Sequence, residues 1–115
     1  SLVAEFQPDI IHCHFGTQAL FFIDNIESQC PVFITFHGYD ATKAIHSSIA
    51  YRKRIQQLFN NPQFYPLATS SSLFHFMEDV LHIHTFSAFH VEGHTNQVSI
   101  QGLTVFIFPA KFTLS

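Results

Sequence analysis

Apolar and polar positions along this chain follow two different spacings, and the switches between them mark out its elements. Residues 10–14 read Ile-Ile-His-Cys-His, and residues 32–36 read Val-Phe-Ile-Thr-Phe. Both runs are short, β-branched and mostly apolar, which predicts strands covered on two faces, as in a parallel sheet. Between them Leu20, Phe21, Ile23 and Ile26 recur nearer to helical than to strand spacing. Residues 17–29 are therefore predicted as a helix with Thr17 as its N-cap. Cys30-Pro31 ends that helix, because the residue before proline disfavours the α region. Together these make the strand–helix–strand crossover of an open α/β sheet.

The same spacing argument continues downstream. Residues 37–48 are predicted as a polar loop, followed by a helix over residues 49–59 with Ile55, Leu58 and Phe59 on its apolar face. Asn60-Asn61-Pro62 stops it. Residues 64–68 read as a short strand, Ser70-Ser71-Ser72 supplies N-caps, and residues 73–81 read as a short helix. Residues 82–101 hold no sustained period, and residues 103–108 read as a strand. No internal repeat or low-complexity segment is present.

Composition narrows the class. A chain of 115 residues with 47% hydrophobic content fits one domain with a real core, which excludes wholesale disorder. Charged residues are 11%, against roughly 25% in ordinary soluble domains. Such a poor surface predicts a covering partner or membership of a larger protein. The opening Ser1-Leu2-Val3-Ala4-Glu5 has no initiator Met and no signal-peptide pattern, and it reads like the inside of a helix. The net charge of −3 argues against nucleic-acid binding, and Arg52-Lys53-Arg54 with nearby Lys43 is read as a solvated helix face. No apolar run approaches the roughly 18 residues needed to span a membrane. Cys13 and Cys30 follow no metal or redox spacing and are read as small apolar residues of a reducing compartment.

The candidate chemistry lies where the two strands end. His12-Cys13-His14-Phe15-Gly16 closes the first, and His37-Gly38-Tyr39-Asp40 follows the second. Open α/β sheets bind ligands outside the carboxyl ends of their strands, so these turns predict one site lined by two loops. His37 can donate a hydrogen bond in either protonation state, and Gly38 exposes its amide. The competing reading of His37 is a locally bonded loop histidine. His12 and His14 share a strand face, an H-x-H pair that could bind zinc with a third ligand. His82 and His84 repeat that spacing, and His90 and His94 add an i,i+4 pair. No H-E-x-x-H or C-x-x-C accompanies them, so no metal is assigned. The serines at 70–72 lack a G-x-S-x-G setting and are read as caps, not nucleophiles.

The run from Pro8 to Gly16, with His12, Cys13, His14 and Phe15, resembles the amino-terminal domain of GT-B retaining glycosyltransferases of family 4. Phe36-His37-Gly38-Tyr39-Asp40 strengthens the likeness, and Tyr51-Arg52, Leu58-Phe59 and Ala68-Thr69-Ser70 follow in the family's order. The likeness is to the subset that builds bacterial surface polysaccharides, and it covers residues 7–81. It implies an α/β fold, a Rossmann-like open parallel sheet with helices on both faces. It also implies a two-domain enzyme transferring sugar from a nucleotide-sugar donor to a saccharide or lipid-linked acceptor. On this likeness His37 would be the catalytic cleft histidine beside the transferred sugar. Gly38, Asp40, His14 and Gly16 would line the acceptor side. No cofactor is expected. The implied location is cytoplasmic, with peripheral association at the inner face of the membrane.

The chain also departs from the family. The first strand with its Gly-rich loop and the donor-binding second domain have no counterpart here. Residues 82–115 carry only two charged side chains, Glu92 and Lys111, and none of the family's pattern. They are read as an atypical tail, divergent or out of frame, after a partial domain over residues 1–81. This chain alone is thus expected to be inactive. Two other readings stand beside it: a non-catalytic small α/β binding module or remnant, and a His-rich zinc-binding protein.

Overall fold

The computed structural model describes residues 9–14, 30–38, 43–92, 96–100, 103–107 and 111–115. Strand β1 is Ile10–Cys13 and β2 is Val32–Phe36. Helices α1 (Lys43–Ser47) and α2 (Ile49–Leu58) precede β3 (Phe64–Ala68) and α3 (Ser71–Asp79). Four strands follow: β4 (Phe89–Glu92), β5 (Asn96–Ile100), β6 (Leu103–Ile107) and β7 (Lys111–Leu114).

The protein is mixed α/β. Its main sheet has the order β3-β2-β1-β6-β5, in which β1, β2 and β3 run parallel. The apolar strands end up side by side, Ile11 opposite Val32 and Ile34 opposite Pro66. Pro66 is tolerated because β3 is the outermost strand, where a missing donor breaks no ladder. Its carbonyl accepts from the Phe86 N–H at 2.9 Å. The expected helix over residues 17–29 lies outside the described residues.

The helices form where the caps allow. Ser48 and Ser70 hold extended backbone, and their side chains accept from the Tyr51 and Leu73 N–H groups. The turn through Asn60 and Asn61 then ends α2, with Asn61 Oδ1 accepting from the Gln63 N–H at 3.0 Å. The predicted polar loop over 37–48 is corrected in part: α1 occupies five of those residues and buries Ile45. Two adjacent apolar residues, Ala44 and Ile45, in a single turn leave no period to read.

Each strand splits its residues between two cores. On one face Ile11, Cys13, Ile34 and Phe36 pack with Ile55 of α2 and Leu73 and Met77 of α3. On the other, Ile10, Phe33, Leu67 and Phe106 pack with Val91, Phe112 and Leu114 of the antiparallel β4–β7 pair. Helices were expected on both faces; among the described residues they cover one, and a two-stranded layer covers the other. The sheet is not purely parallel either, because β6 runs antiparallel beside β1, pairing Ile10 with Phe106. Residues 82–101, without a readable period, contribute β4 and β5. Burial pushes the Cys13 thiol up to about 12, which suits its place as a small apolar residue. Cys30 is half-buried. Among the described residues no helix is long and apolar enough to cross a membrane.

Candidate functional site

Alternation along β1 and β2 decides which side chains meet. Ile10, His12 and His14 share one face, as do Phe33 and Thr35 on the neighbouring strand. Toward the strands' amino-terminal ends that face is apolar, with Ile10, Phe33 and Phe106 buried against the second layer. Toward the carboxyl ends it turns polar. There His12 Nε2 lies 2.6 Å from Thr35 Oγ1, and His14 Nε2 lies 2.7 Å from Thr104 Oγ1. In each pair the tautomer sets which group donates. The two imidazoles sit 4.4 Å apart, tilted by 47°. One pair ties β1 to β2 and the other ties β1 to β6.

His12 is held neutral. Burial first, then the neighbouring His14 and His37, lower its pKa from 6.5 to about 4. A neutral imidazole offers one donor and one acceptor, and a second imidazole and two threonine hydroxyls meet it here. Such a set suits uncharged, hydroxyl-bearing ligands. It is poorly matched to a phosphate, which calls for fixed positive charge or converging amides.

His37, the expected catalytic residue, is exposed immediately after β2 and within electrostatic reach of His12. Gly38 follows with φ +140°, a backbone that L side chains rarely adopt, although a Cβ there would meet nothing within 4 Å. Gly38→Ala is therefore expected to cost about 1–2 kcal/mol through backbone strain alone. Urea unfolding checks this, and an unchanged midpoint would mean the turn relaxes freely. Of the other expected acceptor-side residues, His14 joins the cluster. Gly16 and Asp40 lie outside the described residues.

Thr35 and Thr104 are the partners that sequence reasoning missed. Each is the lone hydroxyl in an otherwise apolar strand, Val-Phe-Ile-Thr-Phe and Leu-Thr-Val-Phe-Ile. That interruption was a readable signal for Thr35, two residues from Phe33. Thr104 needed the β1–β6 register, which pairs it with His12. The other histidines do not gather here: His84 faces Glu78 at 3.4 Å, and His90 lies on β4. His94 lies outside the described residues. Among the described residues no group of three or more His, Cys, Asp or Glu could hold a metal ion. No family model, curated protein or solved structure matches the chain.

Proposed function

We propose that this chain is the acceptor-side part of a sugar-transferring enzyme, a fragment of a GT-B, family 4-like retaining glycosyltransferase. The observation that carries the reading is that His14 and His37, the residues following β1 and β2, lie at the same end of the sheet. Parallel pairing of β1 with β2 brings both histidines there, each within electrostatic reach of His12. Imidazoles and threonine hydroxyls suit the hydroxyls of a saccharide. His37 would sit beside the transferred sugar as the catalytic-side histidine, and Gly38 would let backbone come close. Retaining transfer passes through an oxocarbenium-like state, and the departing diphosphate would need basic groups supplied by a second domain. In this reading the three parallel strands are half of a Rossmann-like domain of a cytoplasmic enzyme that works at the membrane's inner face.

The test compares transfer from nucleotide sugars by this chain and by one carrying the flanking sequence its gene encodes. Transfer is expected only in the longer protein, and His37→Ala there should lower it at least about tenfold, near 1.4 kcal/mol. Equal activity in both chains, or an unaffected His37→Ala variant, would sink the proposal. A second reading, a non-catalytic α/β binding module, draws on β6: it pairs with β1 along the whole strand, while β4 and β7 cover the second face. That reading gains if the longer protein transfers nothing while the chain still binds saccharide.

A further inference from the structure

The outer edge of β3 carries a groove that the His14–His37 cluster does not use. It encloses about 320 Å³, within the roughly 300–1,000 Å³ typical of small-molecule sites. Its walls are aromatic: Phe59 from the end of α2, Phe64 and Tyr65 from β3, and Phe86 from the segment that closes on β3. Phe86 is fixed there, its N–H bonded to the Pro66 carbonyl and its carbonyl to the Ala68 N–H.

The polar groups of the groove sit at its rim. Asn60 is exposed, as are His82 and His84. Gln56 also lines it, and its Nε2 donates to the Leu81 carbonyl at 3.2 Å, which ties the two walls together. His82 holds φ +57°, a left-handed backbone that a glycine would adopt without strain. That conformation turns the chain so that Leu81 and Ile83 on either side are buried while the imidazole stays at the groove. His84 is steadied by an edge contact to Phe86, ring centroids 5.0 Å apart, and by Glu78.

Charge decides the class of occupant. Among the described residues no lysine, arginine, aspartate or glutamate lines the groove, and the rim histidine His84 is paired with the Glu78 carboxylate at 3.4 Å. A phosphate-bearing ligand would find no fixed cation there. Aromatic faces with amide and imidazole edges instead match the C–H faces and hydroxyl rim of a neutral sugar ring.

We infer that this groove is a saccharide-binding site, separate from the proposed transfer site and not dependent on it. The register puts the two toward opposite ends of the sheet, since Phe64 pairs with Val32 whereas His37 follows Phe36, which pairs with Ala68.

The experiment titrates the ¹⁵N-labelled chain with methyl glucoside, methyl galactoside, maltotriose and cellotriose, with adenosine as the aromatic control. At least one saccharide is expected to give saturable shifts at residues 59–65 and 82–86, with affinity of about 1 mM. Asn60→Ala and His84→Ala, both at exposed positions, should each weaken it at least about threefold. His82→Gly is the sharper probe, because relief of the positive φ should raise the thermal midpoint while affinity falls. Shifts confined to residues 12–14 and 35–38 would overturn the groove site while leaving the transfer-site reading intact. So would tighter binding of adenosine, no saturable shift, or full affinity in His82→Gly.

Discussion

Replacing Phe33 with alanine is expected to remove about 3–5 kcal/mol of stability. Phe33 is fully buried on β2, the middle strand of the parallel three. Its ring stacks on Tyr65 at 5.0 Å and meets the edge of Phe112 at 4.9 Å. Tyr65 also contacts Phe112, at 5.8 Å. The three rings join β2 and β3 to β7, so the cavity left by alanine lies between two layers and neither can close it without moving strands. For a domain whose total stability is of order 5–15 kcal/mol, that loss leaves little margin. Phe33→Leu keeps most of the volume and should cost less than about 1.5 kcal/mol. Urea unfolding measures both, and hydrogen exchange adds location. In Phe33→Ala the β4 and β7 amides should lose protection first. In Phe36→Ala the loss should fall on α2, because Phe36 faces the helices and meets Phe59 at 5.9 Å. A Phe33→Ala variant within about 1 kcal/mol of the parent would mean the second layer is not packed as described.

The same ring shows how far the sequence could be read. Val-Phe-Ile-Thr-Phe declares a strand covered on both sides, and β2 is one; β1 and β3 were legible as short strands, and the Ser70 cap by its residue type, whereas the Ser48 cap lies inside a predicted loop. What covers Phe33 was not legible. β4 supplies Val91 and β7 supplies Phe112 and Leu114, and each strand has four residues, too few for a period to stand out. Pairings between strands far apart in sequence leave no local mark, and the β1–β6 register joins residues 90 to 96 positions apart. The candidate site divides along the same line. His14 and His37 were visible as strand-end residues, and Thr35 as a polar break in an apolar run. That Thr104 closes on His14 depended on β6, whose placement no local pattern announced.

Stability is expected to fall as pH drops from about 6.5 through about 4, in a step that belongs to His12. The sign follows from the two states. Above 6.5 the imidazole is neutral whether the chain is folded or unfolded, and its contribution is fully present. Between the two values the unfolded chain binds a proton that the folded chain refuses, so stability declines with falling pH. Below about 4 both states are protonated and the loss is complete. Burial is the main cause of the shift, with His14 and His37 adding to it. His12 is half-buried, so solvent screening reduces the step to on the order of 1–2 kcal/mol. Titrating carboxylates add their own slope at the acid end, which makes the informative quantity the difference from His12→Gln. Glutamine can still hydrogen-bond to Thr35 Oγ1 but takes up no proton over this range. Urea midpoints measured every half unit between pH 4 and 7.5 should therefore diverge, the parent losing ground to His12→Gln as the solution becomes acid. Parallel curves would show that His12 is solvated and ordinary in the folded chain. The divergence also bears on the site, because a proton on His12 places positive charge 4.4 Å from the His14 ring. Acid should thus loosen the strand end carrying His14 and His37 before it reaches the Phe33 core. The ¹⁵N signals of residues 12–14 and 35–38 should then broaden at a higher pH than those of β3.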